Sequence, residues 1–119
     1  MFATEREEMP KSTFSVELSM QEAPAEAQER AATALIEPAR EVGFKLSKRG
    51  DGELDYKPRP MYPLNLTLWQ RGEKMTVKFE PAVEGGTRVM ISGATVKSKQ
   101  AKASDPQHWS QALAGSRSA

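Results

Sequence analysis

Few side chains in this sequence have the chemistry that catalysis requires. His108 is the only histidine, and the chain has no cysteine. No nucleophile elbow, phosphate-binding loop, dinucleotide fingerprint or metal-spaced set of His, Asp and Glu residues occurs. His108 precedes Trp109, and a lone histidine in such a segment is more typical of a surface position or a docking helix than of a general base. The sequence therefore predicts a protein that is not an enzyme.

The acidic pattern most similar to a metal-binding loop is Asp51, Glu53 and Asp55. Carboxylates at every second position can supply oxygen ligands to a hard cation. These residues alternate with Leu54 and Tyr56, however, so the last two carboxylates fall on the solvent face of a predicted strand. We therefore expect neither a metal site nor a cofactor.

Cationic residues near two predicted turns suggest an anion site at one end of the sheet. In a meander, alternate turns meet at the same end, so turn 49–52 should lie beside turn 70–74 and the N-terminus of the first helix. The candidate binding residues at this end are Lys48, Arg49, Trp69, Arg71 and Lys74. The carboxylates that compete for these cations are Glu22, Asp51 and Glu73. The sequence leaves open whether the cations hold an anion or are neutralised locally.

The opposite end of the sheet is expected to carry a proline-rich loop, residues 58–63. Proline prevents regular ladder pairing, and a stiff loop loses little conformational entropy when it binds a partner. The candidate contact residues in this loop are Arg59, Met61 and Tyr62. The alternative is that Met61 and Tyr62 fold back to cover the end of the sheet or the helix.

Alternating apolar residues define the strands that position these loops. Between Leu64 and Val96, apolar side chains recur at every second position and are interrupted by glycine-containing turns. This period is typical of an antiparallel sheet with one face on the core and the other in water. The same alternation at Phe14–Met20 and in the two segments that flank turn 49–52 brings the expected number of strands to about six. Gly93, where the alternation shifts, is interpreted as a bulge.

Two helices are expected beside this sheet. Pro24 at a first helical turn, a stripe of alanines and a closing Gly43 predict a long helix over residues 24–42. Pro38 should kink this helix or separate a short last turn. A second, short helix should begin at Asp105-Pro106 and present Trp109 and Leu113 on one face. Trp69 either packs beneath this helix or is exposed for binding.

The length and charge of the chain limit the classes of protein to which it can belong. A chain of 119 residues with a net charge of +1 indicates one domain without a global field for nucleic acid, which makes a nucleic-acid partner improbable. No segment has the apolar length of a membrane span, and the acidic start does not resemble a secretory signal, so we expect a soluble, cytoplasmic protein. The expected organisation is a flexible arm (residues 1–12), one α+β domain (13–114) and a frayed C-terminus (115–119).

The expected architecture is an α+β domain in which one long helix crosses a curved antiparallel sheet. It resembles small helix-grip, START-like domains, and the phrases that carry the resemblance are 42–46, 51–56 and 84–93. The resemblance implies a sheet that grips a helix, with space for an apolar ligand between them in larger members. We therefore expect a non-enzymatic binding or interaction module that contacts a protein partner. The alternative is a carrier of a small apolar or anionic ligand, held between helix and sheet or at one end of the sheet. The oligomeric state is left open.

Overall fold

The structure is a computed structural model that describes residues 11–58 and 73–118. Several predicted features lie outside the described residues. They are residues 1–10 of the N-terminal arm, the loop residues Arg59, Met61 and Tyr62, the strand that was expected to begin at Leu64, and Trp69 and Arg71. The predictions made for these residues remain predictions.

The described strands form one antiparallel sheet, which confirms the α+β class and the antiparallel arrangement. The sheet has five strands in the order β1-β5-β4-β3-β2. Their bounds are β1 Lys11–Met20, β2 Phe44–Gly50, β3 Glu53–Pro58, β4 Lys74–Pro81 and β5 Thr87–Val96. Because β3 pairs directly with β4, the strand expected near Leu64 does not lie between them. The described residues thus supply five strands, and β3 and β4 are direct neighbours, whereas about six strands were expected, with one between these two.

The expectation of one long helix is wrong, because the segment forms two helices. These are α1, Pro24–Ala34, and α2, Ile36–Glu41, with the break at Leu35. Pro38 explains the break: it has no N–H to donate to the carbonyl of Ala34, and its ring clashes with that carbonyl. The separation of a short last helix by Pro38 is confirmed.

Two further helices follow β5. The helix α3, Lys97–Ala103, was not predicted, and α4, Pro106–Ser118, is the expected C-terminal helix. Asp105 Oδ1 accepts a hydrogen bond from the backbone N–H of Gln107 at 3.0 Å, as expected of a residue that caps the helix start. Among the helices of residues 11–58 and 73–118, none combines the length and apolar composition needed to cross a membrane.

The helices pack on one face of the sheet and enclose one core. Ala27 and Ala31 of α1 are fully buried, and their small side chains allow the helix to lie close to β3 and β4. Trp109 of α4 is also fully buried, and its indole N–H donates to the carbonyl oxygen of Ala103 at 2.9 Å. The C-terminal helices are therefore part of the same core as the sheet.

The expected bulge at Gly93 is wrong. Gly93 pairs in regular register with Phe14 of β1 and Met75 of β4. Ile91, Gly93 and Thr95 lie on the same face of β5, and Ile91 and Thr95 are buried. The buried face therefore continues without a shift, with a threonine where an apolar residue was expected. Glycine is required for another reason: a Cβ atom at this position would collide with the backbone of Lys74 and Met75.

The turn between β4 and β5 provides a test of the fold. Gly85 and Gly86 both have positive φ, at 102° and 80°. A Cβ atom at Gly85 would meet open space, whereas one at Gly86 would collide with the carbonyl oxygen of Met20. We expect Gly85→Ala to lower the free energy of unfolding by about 1 kcal/mol through backbone strain alone. Gly86→Ala should lower it by about 1 kcal/mol more, since overpacking adds to the strain.

Urea denaturation of the two variants measures this difference directly. The two glycines are adjacent and share the same turn, so Gly85→Ala is the matched control for Gly86→Ala. Equal losses in the two variants would contradict the close approach of the turn to the end of β1.

Candidate binding cleft

The structure does not bring the predicted cation cluster together. Lys48 and Arg49 lie on β2 near turn 51–52, whereas Lys74 begins β4 at the other end of the sheet. The prediction assumed an additional strand between β3 and β4. Because these two strands pair directly, Lys74 lies at the end of the sheet opposite to the predicted one. Arg49 contacts Glu29 of α1 at 3.8 Å, and Lys48 is the register partner of Asp55. These cations have local partners and form no shared site with Lys74.

One part of the prediction for this end of the sheet is confirmed, namely the position of the first helix. The N-terminal half of α1 lies beside turn 51–52, because the Gln28 side chain donates to the carbonyl oxygen of Gly50 at 2.8 Å. The same side chain accepts a hydrogen bond from the backbone N–H of Gly52 at 3.0 Å. These bonds fix the helix to the β2–β3 hairpin.

A cleft lies between α2 and the β2–β3 hairpin, and we name it the α2–β2 cleft. Its volume is about 320 Å³. The residues that line it are Ile36, Ala39, Arg40, Phe44, Lys45, Leu46 and Tyr56. Aliphatic and aromatic side chains form most of this lining, and the two cations are the charged members. The composition is that of a small ligand site with few polar groups.

Local sequence explains how the cleft forms. After Pro38 separates α2 from α1, residues at positions i, i+3 and i+4 place Ile36, Ala39 and Arg40 on one helical face. Gly43, at φ 92°, then reverses the chain so that Phe44 begins β2 immediately after the helix. Ile36 is 56% exposed, which is unusual for a large apolar side chain in this protein.

Tyr56 supplies the unusual polar group of the cleft. The residue is only 4% exposed, and its hydroxyl group is buried with no hydrogen-bond partner among residues 11–58 and 73–118. Burial raises the pKa of Tyr56 to about 12, and the nearby Arg49 guanidinium opposes this shift. A buried hydroxyl without a partner is destabilising by roughly 1–3 kcal/mol. An acceptor group on a bound molecule would relieve that penalty.

A larger cleft, of about 760 Å³, lies at the end of the sheet where β1 meets the β4–β5 turn. Its half-buried cation, Arg30, already has partners in the protein. The Arg30 guanidinium makes bonds of 2.7 and 3.1 Å to the Glu22 carboxylate and also donates to the carbonyl oxygen of Leu113. Because Arg30 joins α1 to α4 in this way, this cleft has a structural explanation and is the weaker candidate.

His108 lies in a docking contact. Its Nε2 atom is 2.9 Å from the carbonyl oxygen of Pro38, so Nε2 carries a proton and donates it to this bond. The ring meets Trp109 edge to face at 4.8 Å, and Nδ1 is 3.8 Å from the Glu41 carboxylate. The placement agrees with the interpretation of His108 as part of a docking helix. Within the described ranges, no group of three or more metal-ligating side chains forms.

Comparison with protein-family models found no match for this chain, and comparison with curated proteins found none either. The function must therefore be argued from the geometry of the cleft.

The sequence reasoning missed the residues of the α2–β2 cleft. Ile36 was the one residue in the sequence that could have indicated the cleft, since it is large and apolar but lies one position outside the apolar stripe of the helix. Tyr56 was correctly placed on the buried face of β3. That its hydroxyl has no partner depends on the packing of α2, which local sequence does not encode.

The raised pKa of Tyr56 predicts a specific loss of stability at alkaline pH. Between about pH 10 and 12 the unfolded chain loses the phenol proton while the folded protein retains it, so unfolding becomes easier as the pH rises. Relative to Tyr56→Phe, the wild-type free energy of unfolding should fall by about 1.4 kcal/mol between pH 9 and pH 11. Near pH 7 the variant should match or slightly exceed wild type, because no hydrogen bond is lost.

Urea denaturation of both proteins at intervals from pH 7 to 11 makes this measurement. The comparison of wild type with Tyr56→Phe at each pH is internally controlled, since other groups that titrate in this range contribute equally to both proteins. A difference between the two that does not change with pH would show that the hydroxyl is hydrated in solution.

Proposed function

We propose that this protein is a non-enzymatic binding module, and that it holds a small apolar ligand with a hydrogen-bond acceptor in the α2–β2 cleft. The observation that carries the proposal is the buried Tyr56 hydroxyl, which has no partner within the described part of the chain although its residue lines the cleft. A ligand acceptor would complete this hydrogen bond, and the apolar lining would bury the rest of the ligand.

The chemistry of the cleft supports binding without catalysis. Burial moves the pKa of Tyr56 to about 12, away from the range in which a general acid or base works near neutral pH. The lining residues that the structure describes include no carboxylate, histidine, serine or threonine. A ligand in this cleft would therefore meet surfaces that orient it and no group that activates a nucleophile.

Ile36 supports the proposal independently. Most large apolar side chains in the described residues are in the core, yet Ile36 is 56% exposed at the border of the cleft. Val83 is the other large apolar residue with high exposure, and it lies at the β4–β5 turn, away from this cleft. A ligand that contacts Ile36 would remove its apolar surface from water, which contributes about 25 cal/mol for each Å² buried.

A neutral probe tests the proposal. Titration of ¹⁵N-labelled protein with 4-phenyl-1-butanol should shift the amide resonances of Ala39, Phe44, Leu46 and Tyr56. Ile36→Ala should weaken binding about threefold through lost apolar contact. Tyr56→Phe should weaken it about fivefold through the lost hydrogen bond.

Val83→Ala is the control, since it truncates another exposed apolar side chain, at a distant turn, and should leave the affinity unchanged. The proposal fails if the resonances that shift are those of Leu18, Gly86 and Leu113, or if none shift at millimolar probe. It also fails if Val83→Ala and Ile36→Ala weaken binding to the same extent.

A further inference from the structure

We infer that the ligand of the α2–β2 cleft is an organic anion, whose charged group lies between Arg40 and Lys45 while its apolar part contacts Phe44 and Leu46. This inference rests on the proposed function and adds the chemical class of the ligand. Three features of the cleft carry it: the positive charge of its border, the engagement of the nearby carboxylates elsewhere, and its size.

The positive charge of the border comes from two residues that line the cleft. Arg40 belongs to α2 and Lys45 to β2, and both side chains are exposed. An anionic group held at this border would therefore contact cations from both sides of the cleft.

Arg40 faces the same cleft from the helical side. Its one ion pair within α2 is a contact of 3.4 Å with Glu37, in which the two side chains are 56% and 68% exposed. Such exposed pairs are weak, and a guanidinium group has five N–H donors. Arg40 therefore retains donors for a carboxylate or a similar anion.

The other carboxylates nearby are directed to different partners. Glu41, the last residue of α2, lies 3.8 Å from Lys102 and 3.8 Å from the His108 ring. Glu29 of α1 contacts Arg49 at 3.8 Å. Within residues 11–58 and 73–118, no carboxylate lies at ion-pair distance from Lys45. The charge of Lys45 is thus not neutralised by the described part of the chain.

The volume of the cleft limits the ligand. About 320 Å³ corresponds to roughly ten water molecules at liquid density, which suits a ligand of about ten to twelve non-hydrogen atoms. A ligand of this size can place an apolar group against Phe44 and Leu46 and still reach Arg40 with an anionic group.

A matched series of probes tests the inference. 4-Phenylbutanoate, 4-phenyl-1-butanol and 4-phenylbutylamine share one apolar part and differ in charge. We expect the acid to bind about five- to tenfold more tightly than the alcohol, and the amine more weakly than both. The advantage of the acid should decrease as ionic strength rises, because the cations are exposed.

Charge-removing variants locate the effect. Lys45→Met and Arg40→Met should each lower the affinity for 4-phenylbutanoate about two- to fivefold and that for 4-phenyl-1-butanol by a smaller factor, because only the acid loses a charge interaction. Lys78→Met is the control: Lys78 is an exposed lysine of β4 opposite Glu53, outside the cleft. This variant should affect neither probe.

The outcomes separate this inference from the proposed function. If the alcohol binds in the cleft and the acid binds no more tightly, the anionic class is wrong and the binding module stands. The same conclusion follows if Lys78→Met weakens binding of the acid as much as Lys45→Met does. If none of the three probes shifts the cleft resonances, both proposals fail.

Discussion

The arrangement of the helical layer depends on Pro38. Since Pro38 cannot donate to the carbonyl of Ala34 and its ring clashes with it, α1 ends there and α2 forms as a separate helix. The carbonyl oxygen of Pro38 itself accepts the bond from His108 that fixes α4 to α2. One residue therefore ends a helix, orders the next one and provides an anchor for the C-terminal helix. The α2–β2 cleft exists because α2 is held at the edge of the sheet.

The covered face of the sheet packs differently at its centre and at its β2 edge. The covered face contains Ala27, Val77 and Ile91 in one close-packed core, in which large voids would be destabilising. Near the β2 edge a cleft interrupts this packing, and Tyr56 has a buried hydroxyl without a partner in the portion of the chain that the structure describes. Natural proteins tolerate such local penalties mainly where a function uses them.

The sequence predicted those parts of the fold that depend on local patterns. Polar and apolar residues alternate strictly in β4, so that strand was recognisable, and the helix break followed from the covalent geometry of Pro38. The helix α3 was missed because Lys97–Ala103 has no apolar stripe and buries only Ala103. Gly93 was misinterpreted because buried Thr95 hides the period of β5. Which strands pair is a non-local property, so Lys74 was assigned to the wrong end of the sheet, and the cleft that depends on α2 and β2 was not predicted.

The pairing of the first strand with the last has a consequence for biosynthesis. β1 hydrogen-bonds to β5 along its whole length, from Lys11 opposite Val96 to Met20 opposite Thr87. During translation β1 leaves the ribosome early and must wait for its partner until nearly all of the domain has been made. Such long-range closure slows folding compared with a chain of local hairpins. In the meantime the apolar face of β1 is exposed to other nascent chains, so production of this protein should depend on chaperones that bind short apolar segments.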